Sequence, residues 1–289
     1  MNLRDCIYTG EGRFKIADCP TSAGMDKAER PKYEELTAEN TRRMAELQDR
    51  LYAESKEGLI ILIQAMDAGG KDSTIKHVMS GVNPQGCVVH NFKQPTSDEL
   101  AHDFMWRVFK AIPPRGYIGL FNRSYYEDVL VVRVRNLQKG YALPERCLDM
   151  PDDEFFDKRL KHIKNFEEYM YDSGMRVVKI FLHIGKDEQK KRFLRRIDDH
   201  AKNWKFSEAD MKERALWDDY QDAYEMAIDA TATKHSPWFV IPADQKWYAR
   251  YLVSRLIVKV LEDMDPHYPK MPEDQVARLE SSREELLND

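Results

Sequence analysis

Five short apolar runs alternate along the chain with longer segments whose apolar residues recur every three or four positions. The runs cover residues 59–64, 87–92, 117–121, 177–184 and 238–242. Almost every position in them is apolar, which is typical of parallel strands buried on both faces. The periodicity between them predicts helices. This alternation predicts an α/β domain of three layers, with a five-stranded parallel sheet between two layers of helices.

Apolar spacing and helix-start signals predict where the main helices lie. Residues 32–56 carry an amphipathic pattern, and apolar residues spaced by four over 100–108 predict a further helix. Ser207 and Asp210 form a capping-box pattern ahead of a long helix. The last helix is predicted to start near Asp244.

The arrangement of these signals predicts the domain organisation. No linker-like or low-complexity tract divides the chain. We therefore expect an irregular N-terminal segment (1–31), one domain over 32–265, and a C-terminal tail (266–289).

The segment with the clearest chemistry is AMDAGGKDST, residues 65–74, between the first strand and a helix. Glycines let the backbone approach an anion, and the helix N-terminus and Lys71 attract it. The segment departs from the common phosphate-loop pattern at Ala65, where a glycine is usual, and at Asp72, where a hydroxyl is usual. The predicted phosphate-binding residues here are Ala68, Gly69, Gly70, Lys71, Asp72 and Ser73.

A second polar segment, Asn122-Arg123-Ser124, follows the third strand. Ligands of such sheets bind beyond the carboxyl ends of the strands, so this segment and the phosphate loop are expected on one rim. Arg123 is suited to grip a phosphate with two parallel hydrogen bonds. Asn122 or Ser124 is also a good helix N-cap before the acidic first turn, and capping and chemistry are compatible.

Together these motifs make the chain similar to the second polyphosphate kinase family. The similarity is carried by residues 65–74, by Phe121-Asn122-Arg123-Ser124-Tyr125-Tyr126-Glu127-Asp128, and by segments at 192–206, 217–220 and 237–244. The resemblance implies a thymidylate-kinase-like P-loop fold and Mg²⁺-dependent phosphoryl transfer between polyphosphate and nucleotides, with Mn²⁺ as an alternative metal. The family usually has Asp-Arg where this chain has Asn122-Arg123, and the asparagine resembles the subgroup that phosphorylates both nucleoside mono- and diphosphates.

The resemblance and the motifs imply roles for individual residues. Asp67, Lys71, Asn122 and Arg123 are the expected catalytic residues, with Asp67 as the metal ligand. AMP and ADP are the expected acceptors, with GMP and GDP as further ones. The residues expected to bind the acceptor nucleotide are Glu127, Asp128 and Arg133, and Lys93 is an expected polyphosphate contact.

Positive charge is concentrated in residues 186–205, which carry a net +4 while the rest of the chain carries −9. Arg192, Arg195 and Arg196 share one helical face there. The segment lies where nucleotide kinases place a lid, so we expect a helical lid over about 186–206 whose arginines bind polyphosphate. A solvated charged face is the alternative explanation.

Composition limits the class of protein. The net charge of −5 argues against bulk nucleic-acid binding. The four cysteines are far apart and form no C-x-x-C pair, which fits a reducing cytosol. Because no apolar run reaches membrane-spanning length, we expect a cytoplasmic protein, without membrane partners, that assembles as a homodimer or homotetramer.

Two other functions share the same loop. An ATP-dependent nucleoside monophosphate kinase would need a pocket for a second base, whereas a polyphosphate enzyme would need a long basic groove. A non-catalytic module that senses nucleotides or phosphate would explain the altered loop without turnover.

Overall fold

A computed structural model describes residues 2–289, apart from the side chains of Lys205, Glu273, Asp274 and Ala277. Within this range six strands form one sheet in the order β1-β6-β5-β2-β4-β3. The strands are β1 (Ile7–Tyr8), β2 (Gly58–Ala65), β3 (Cys87–Asn91), β4 (Ile118–Asn122), β5 (Met175–His183) and β6 (Trp238–Pro242).

All five predicted strands are present, and they pair in parallel. The predicted strand count is wrong because a sixth strand, β1, lies antiparallel to β6 at the sheet edge, with Ile7 opposite Phe239. This strand comes from the N-terminal segment that the sequence predicted to be irregular. Two residues are too few to show an alternating pattern, so the sequence carries no strand signal there.

The helices fill the connections between the strands. The longer ones are α1 (Arg30–Glu54), α2 (Lys71–Val78), α7 (Asp152–Asp172), α8 (Lys186–Asp198), α9 (Glu208–Ala215), α10 (Trp217–Thr231), α11 (Lys246–Met264) and α12 (Glu273–Leu287). The single-turn ones are α3 (Ser97–Leu100), α4 (Trp106–Phe109), α5 (Val131–Val134) and α6 (Glu145–Leu148). The predicted C-terminal tail therefore contains a helix, α12.

Two helix predictions differ from the structure. The expected helix over 100–108 is split into α3 and α4, because the Asp103 carboxylate accepts a 2.9 Å hydrogen bond from the Met105 amide and starts a new turn. The long helix after Ser207 breaks at Leu216. The capping box of Ser207 and Asp210 is confirmed, but it starts the short α9 rather than α10.

The core lies around the central strand β2, in which every residue is buried. Helices α1, α2 and α11 pack together as one layer, and α7 and α10 contact each other in a second. This arrangement places the carboxyl ends of β2 and β4 side by side, with Ile63 in register with Asn122. No helix in the described part of the chain is long and apolar enough to cross a membrane.

Candidate active site

The phosphate loop connects β2 to α2 and has a tightly packed backbone. A side chain at Gly69 would have its Cβ 2.6 Å from the Cβ of Ala65 and 2.7 Å from the Met66 carbonyl oxygen, so glycine is required there. Gly70 has φ +105°, in the region that glycine favours. Ala68 has φ +59° although it is not a glycine. The loop is thus held in a conformation that costs free energy.

Lys71 is the first residue of α2 and turns back over the loop. Its ammonium donates a 2.7 Å hydrogen bond to the Ala65 carbonyl oxygen. Burial lowers the pKa of Lys71, and the charge of Arg123 lowers it further, while Asp67 opposes both. Because the charges of Lys71 and Arg123 repel each other, binding an anion beside them is favourable.

Asn122 ends β4 and contacts the first turn of α2. Its amide nitrogen donates 2.9 Å hydrogen bonds to the carboxylate of Asp72 and to the side-chain oxygen of Asn91. The nearby Ser73 hydroxyl donates to the Gly70 carbonyl oxygen at 3.0 Å. The hydrogen bonds of Asn122 therefore join the ends of β3 and β4 to the first turn of α2. Neither Asn122 nor Asp72 lines the cavity described below.

Arg123 links the two motifs through a pair of carboxylates. Its guanidinium lies 3.6 Å from Asp67 and 3.3 Å from Glu127. Glu127 raises the pKa of Arg123, and burial raises the pKa of Glu127 against the opposing charges of Arg123 and Lys71. Arg123 has φ +63°, a left-handed conformation stabilised by a 3.1 Å hydrogen bond that its backbone amide donates to the Ile63 carbonyl oxygen. This strained turn aims the guanidinium at the phosphate loop.

A cavity of about 180 Å³ lies beside Arg123. Its polar wall contains Asp67, Arg123 and Glu127, which are among the residues that the sequence predicted for the site. Ala65 and Met66 at the start of the loop also line the cavity. The sequence did not predict the remaining lining residues, which are Leu130, Val131, Gln189, Glu213, Arg214, Tyr220 and Tyr224. Tyr220 and Tyr224 are spaced i, i+4 on α10, which is typical of an apolar helix face and equally suited to a cavity wall.

The three arginines of α8 do not share one environment. Arg192 is 3% exposed and donates to backbone carbonyls of the phosphate loop. Arg195 is 61% exposed and pairs with Glu188, and Arg196 lies 3.6 Å from Asp210. In this structure the donors of Arg192 are occupied inside the protein, so its contact with polyphosphate stays a prediction that this geometry does not support. Helical spacing could not reveal which arginine faces the loop.

Two residues predicted to bind nucleotide lie away from the cavity. Asp128 is buried against Arg159 and Arg107, and its pKa is raised to about 6 by burial, with the two arginines opposing. Arg133 pairs with Asp153 at 2.8 Å, and one of its guanidinium nitrogens is buried without a hydrogen-bond partner. Neither residue lines the cavity. Asp128 and Arg133 are instead held in ion pairs away from the cavity, so their predicted contact with the nucleotide has no support from this geometry.

Lys93 follows the carboxyl end of β3 and is exposed. Its carbonyl oxygen accepts a 2.9 Å hydrogen bond from Arg107. That bond orients the backbone at the same rim of the sheet as the phosphate loop. Lys93 therefore lies at the outer side of this rim, and its contact with polyphosphate stays a prediction.

The donor set near the loop fits a magnesium ion shared with a substrate. Mg²⁺ is usually held by one or two carboxylates together with substrate phosphates. Asp67 supplies one carboxylate, with 30% of its side chain exposed. No cluster of three or more His, Cys, Asp or Glu side chains arranged for a metal is found among the described residues. Asp67 thus fits a substrate-bridged Mg²⁺ or Mn²⁺ rather than a cage made by the protein alone.

The fold and site define an α/β kinase-like protein. A family model described as "Polyphosphate kinase 2 (PPK2)" matches residues 27–269. The chain belongs to this family.

Individual relatives support the assignment along most of the chain. It is 44% identical over 280 residues to an ADP-polyphosphate phosphotransferase of Rhodopseudomonas palustris, covering 96% of both chains. It is also 44% identical over 262 residues to an AMP/ADP-polyphosphate phosphotransferase of Meiothermus ruber, covering 90% of this chain and 93% of the relative. The crystal structure of polyphosphate kinase 2 from Arthrobacter aurescens TC1 superposes with a TM-score of 0.87 at 37% identity, covering 98% of this chain and 97% of the other.

Proposed function

We propose that this protein transfers phosphoryl groups from inorganic polyphosphate to nucleoside mono- and diphosphates, converting AMP to ADP and ADP to ATP. The observation that carries the proposal is the convergence of Lys71, Arg123 and Asp67 beside a loop built to approach anions. The names of the relatives from R. palustris and M. ruber support the same donor and acceptors.

The chemistry needs charge neutralisation more than a general base. The attacking nucleotide oxygen is already anionic, so positioning and electrostatic stabilisation dominate. Two unit charges ~4 Å apart repel by about 4 kcal/mol at an effective dielectric constant of 20. Lys71 and Arg123 are placed to offset this repulsion. An arriving phosphate also favours the charged form of Lys71, whose pKa is lowered in the unliganded protein.

The donor and the acceptor occupy different sides of the loop in this proposal. Polyphosphate contacts the loop amides, the N-terminus of α2 and Lys71, with Lys93 extending the cationic rim. The cavity between Glu127 and Tyr224 takes the phosphate end of the acceptor, because about 180 Å³ is smaller than a typical pocket for a whole ligand. Arg123 stands between the two sides. A base held mainly outside the cavity is compatible with guanine as well as adenine nucleotides.

Mg²⁺ or Mn²⁺ held by Asp67 together with phosphate oxygens would supply further positive charge to the transferring group. The protein orients Asp67 through its ion pair with Arg123 and through a hydrogen bond from Gln189 to its backbone carbonyl. The carboxylate is thus kept at the edge of the cavity, where a metal–phosphate complex can reach it.

The lid remains part of the proposal in a narrower form. Arg192 belongs to the interior of the protein, so Arg195 and Arg196 are the arginines of the 186–206 segment that are placed to meet polyphosphate. Both lie near the C-terminus of α8, where cations are also favoured by the helix dipole.

One assay separates the candidate functions. Purified protein is mixed with Mg²⁺, with AMP, ADP, GMP or GDP, and with either polyphosphate or ATP. The variants Lys71→Ala and Asp67→Asn are assayed in parallel. We expect turnover with polyphosphate, and at least a tenfold lower kcat in both variants, which corresponds to about 1.4 kcal/mol of transition-state stabilisation. Turnover with ATP alone would indicate a nucleoside monophosphate kinase. Binding without any turnover would indicate a sensing module.

We also propose a homodimeric or homotetrameric, cytoplasmic enzyme. The four cysteines are unpaired thiols, which suits a reducing compartment. Light scattering coupled to size-exclusion chromatography measures the assembly directly.

A further inference from the structure

The guanidinium of Arg192 is fully occupied by acceptors of the protein itself. Its Nε donates to Glu188 at 2.9 Å, and its Nη1 donates to the carbonyl oxygens of Ala68 at 3.0 Å and Gly69 at 2.9 Å. Its Nη2 donates to the carbonyl oxygens of residues 243–244 at 2.5 and 3.2 Å. A guanidinium has five N–H donors. All five are used, so none remains for a phosphate.

A neighbouring side chain on α8 extends the same contact. The Gln189 amide nitrogen donates to the Asp67 carbonyl oxygen at 2.9 Å, and the Gln189 oxygen accepts from Arg214 of α9 at 2.7 Å. Residues of α8 therefore hold three consecutive carbonyl groups of the phosphate loop, those of residues 67–69. Arg214 connects this contact to α9.

The held carbonyls determine where the loop amides point. In a trans peptide the C=O and the following N–H point in opposite directions. Carbonyls 67–69 face α8, so the amides of residues 68–70 face away from it. The Gly69 amide donates a 2.9 Å hydrogen bond to the Met66 carbonyl oxygen. The Ala68 and Gly70 amides are then the two that this arrangement directs toward an incoming anion.

This conformation needs support because Ala68 is left-handed without being a glycine. We propose that Arg192 and Gln189 are positioning residues that hold the phosphate loop in its anion-binding conformation and couple it to the docking of α8 and α9. The proposal rests on the proposed function only for the identity of the anion, polyphosphate. We call the hydrogen bonds from Arg192 and Gln189 to carbonyls 67–69 the clamp. A protein in which the clamp is loosened binds polyphosphate more weakly, because fewer molecules hold the loop in its anion-binding conformation.

The experiment compares Arg192→Met, Arg192→Lys and Gln189→Leu with wild type, and uses Arg176→Met as the matched control. Arg176 is a partly buried arginine near the start of β5, where it pairs with Glu57 at 2.7 Å. It lies at the opposite end of the strands from the phosphate loop. Amide hydrogen exchange of residues 67–70 is measured without any substrate. The KM for polyphosphate, the KM for AMP and kcat are measured separately.

We expect loop exchange to be at least tenfold faster in Arg192→Met, and the KM for polyphosphate to rise at least tenfold, with the KM for AMP changed less than threefold. Arg192→Lys should resemble Arg192→Met, because one ammonium keeps the charge but cannot span both pairs of carbonyls. Arg176→Met should leave the loop exchange and both KM values unchanged.

Two results would overturn the proposal: loop exchange in Arg192→Met within twofold of wild type, or a wild-type KM for polyphosphate in Arg192→Lys. The second result would mean that charge, not the clamp, is what matters. If Arg192→Met does not fold, the test rests on Gln189→Leu. We expect exchange at residues 67–68 to be at least fivefold faster in that variant. Unchanged exchange there would contradict the clamp. Exchange needs no turnover, so it tests the clamp even if wild type does not use polyphosphate and the proposed function fails.

Discussion

The side-chain nitrogen of Asn122 donates a 2.9 Å hydrogen bond to the carboxylate of Asp72, joining the end of β4 to the first turn of α2. Each residue departs from the usual motif at its position, Asp72 in the phosphate loop and Asn122 at the strand end. An aspartate at position 122 would set two carboxylates about 3 Å apart, which is strongly unfavourable. The two departures therefore compensate each other.

This pairing predicts the effect of Asn122→Asp. The variant should lose about 1–2 kcal/mol of unfolding free energy at pH 8 without Mg²⁺, because a hydrogen bond to a charged group is lost and repulsion is added. Urea denaturation measures the change. Adding Asp72→Ser should recover at least half of the loss. A single variant as stable as wild type, or a double variant no better than the single one, would show that the pair is not coupled.

A second prediction concerns the buried ion pair of Lys179 and Glu167, 2.5 Å apart and almost inaccessible to solvent. Glu167→Gln leaves the Lys179 ammonium without a counter-charge, and such a loss costs about 3–5 kcal/mol. Guanidinium denaturation should show that cost, and the double variant with Lys179→Met should be more stable than Glu167→Gln alone. A loss below about 1 kcal/mol in the single variant would contradict this account of the pair.

The third prediction is a pH dependence caused by Asp128. Burial raises its pKa from 3.8 to about 6. Between these values the unfolded chain loses the proton while the folded protein keeps it, so the stabilising contribution present below pH 4 is lost as the pH rises to 6. The unfolding free energy of wild type relative to Asp128→Asn should fall by roughly 3 kcal/mol over that interval. A relative stability that is flat or rises with pH would mean that Arg159 and Arg107 outweigh the burial.

The remaining α8 arginines allow a fourth prediction. Arg195→Ala combined with Arg196→Ala should raise the KM for polyphosphate at least tenfold, because charge-assisted contacts of about 1.5–3 kcal/mol each form only with the donor bound. The unfolding free energy should change by less than about 1 kcal/mol, since Arg195 is exposed and Arg196 is partly exposed. An unchanged KM would leave the 186–206 segment as a solvated charged face.

The sequence was most informative where the pattern was local. The five parallel strands and the positions of Lys71 and Arg123 on one rim follow from apolar runs and from the ends of strands. The burial of Lys179 could not be predicted, because a single lysine in an apolar strand gives no sign of its partner. That partner is Glu167 on α7. The partners of such buried charges come from distant parts of the chain, which spacing does not reveal.

The same limit explains why the sequence did not show where the side chains of Arg192 and Asp128 point. Three arginines at helical spacing indicate a shared face, but only the packing of α8 against the phosphate loop shows that Arg192 points inward. Asp128 follows Glu127 directly, yet the short turn at 125–128 sends its carboxylate into the core. Tertiary contacts, not local preference, decide both cases.

Polyphosphate-dependent transfer to AMP is tested most directly by a single-turnover experiment with ³²P-labelled polyphosphate, unlabelled AMP and Mg²⁺, in the absence of ATP. We expect label to enter the β-phosphate of ADP first and the γ-phosphate of ATP afterwards, and we expect Lys71→Ala to transfer none. AMP that stays unlabelled with polyphosphate, but is converted to ADP when ATP is supplied instead, would contradict this transfer.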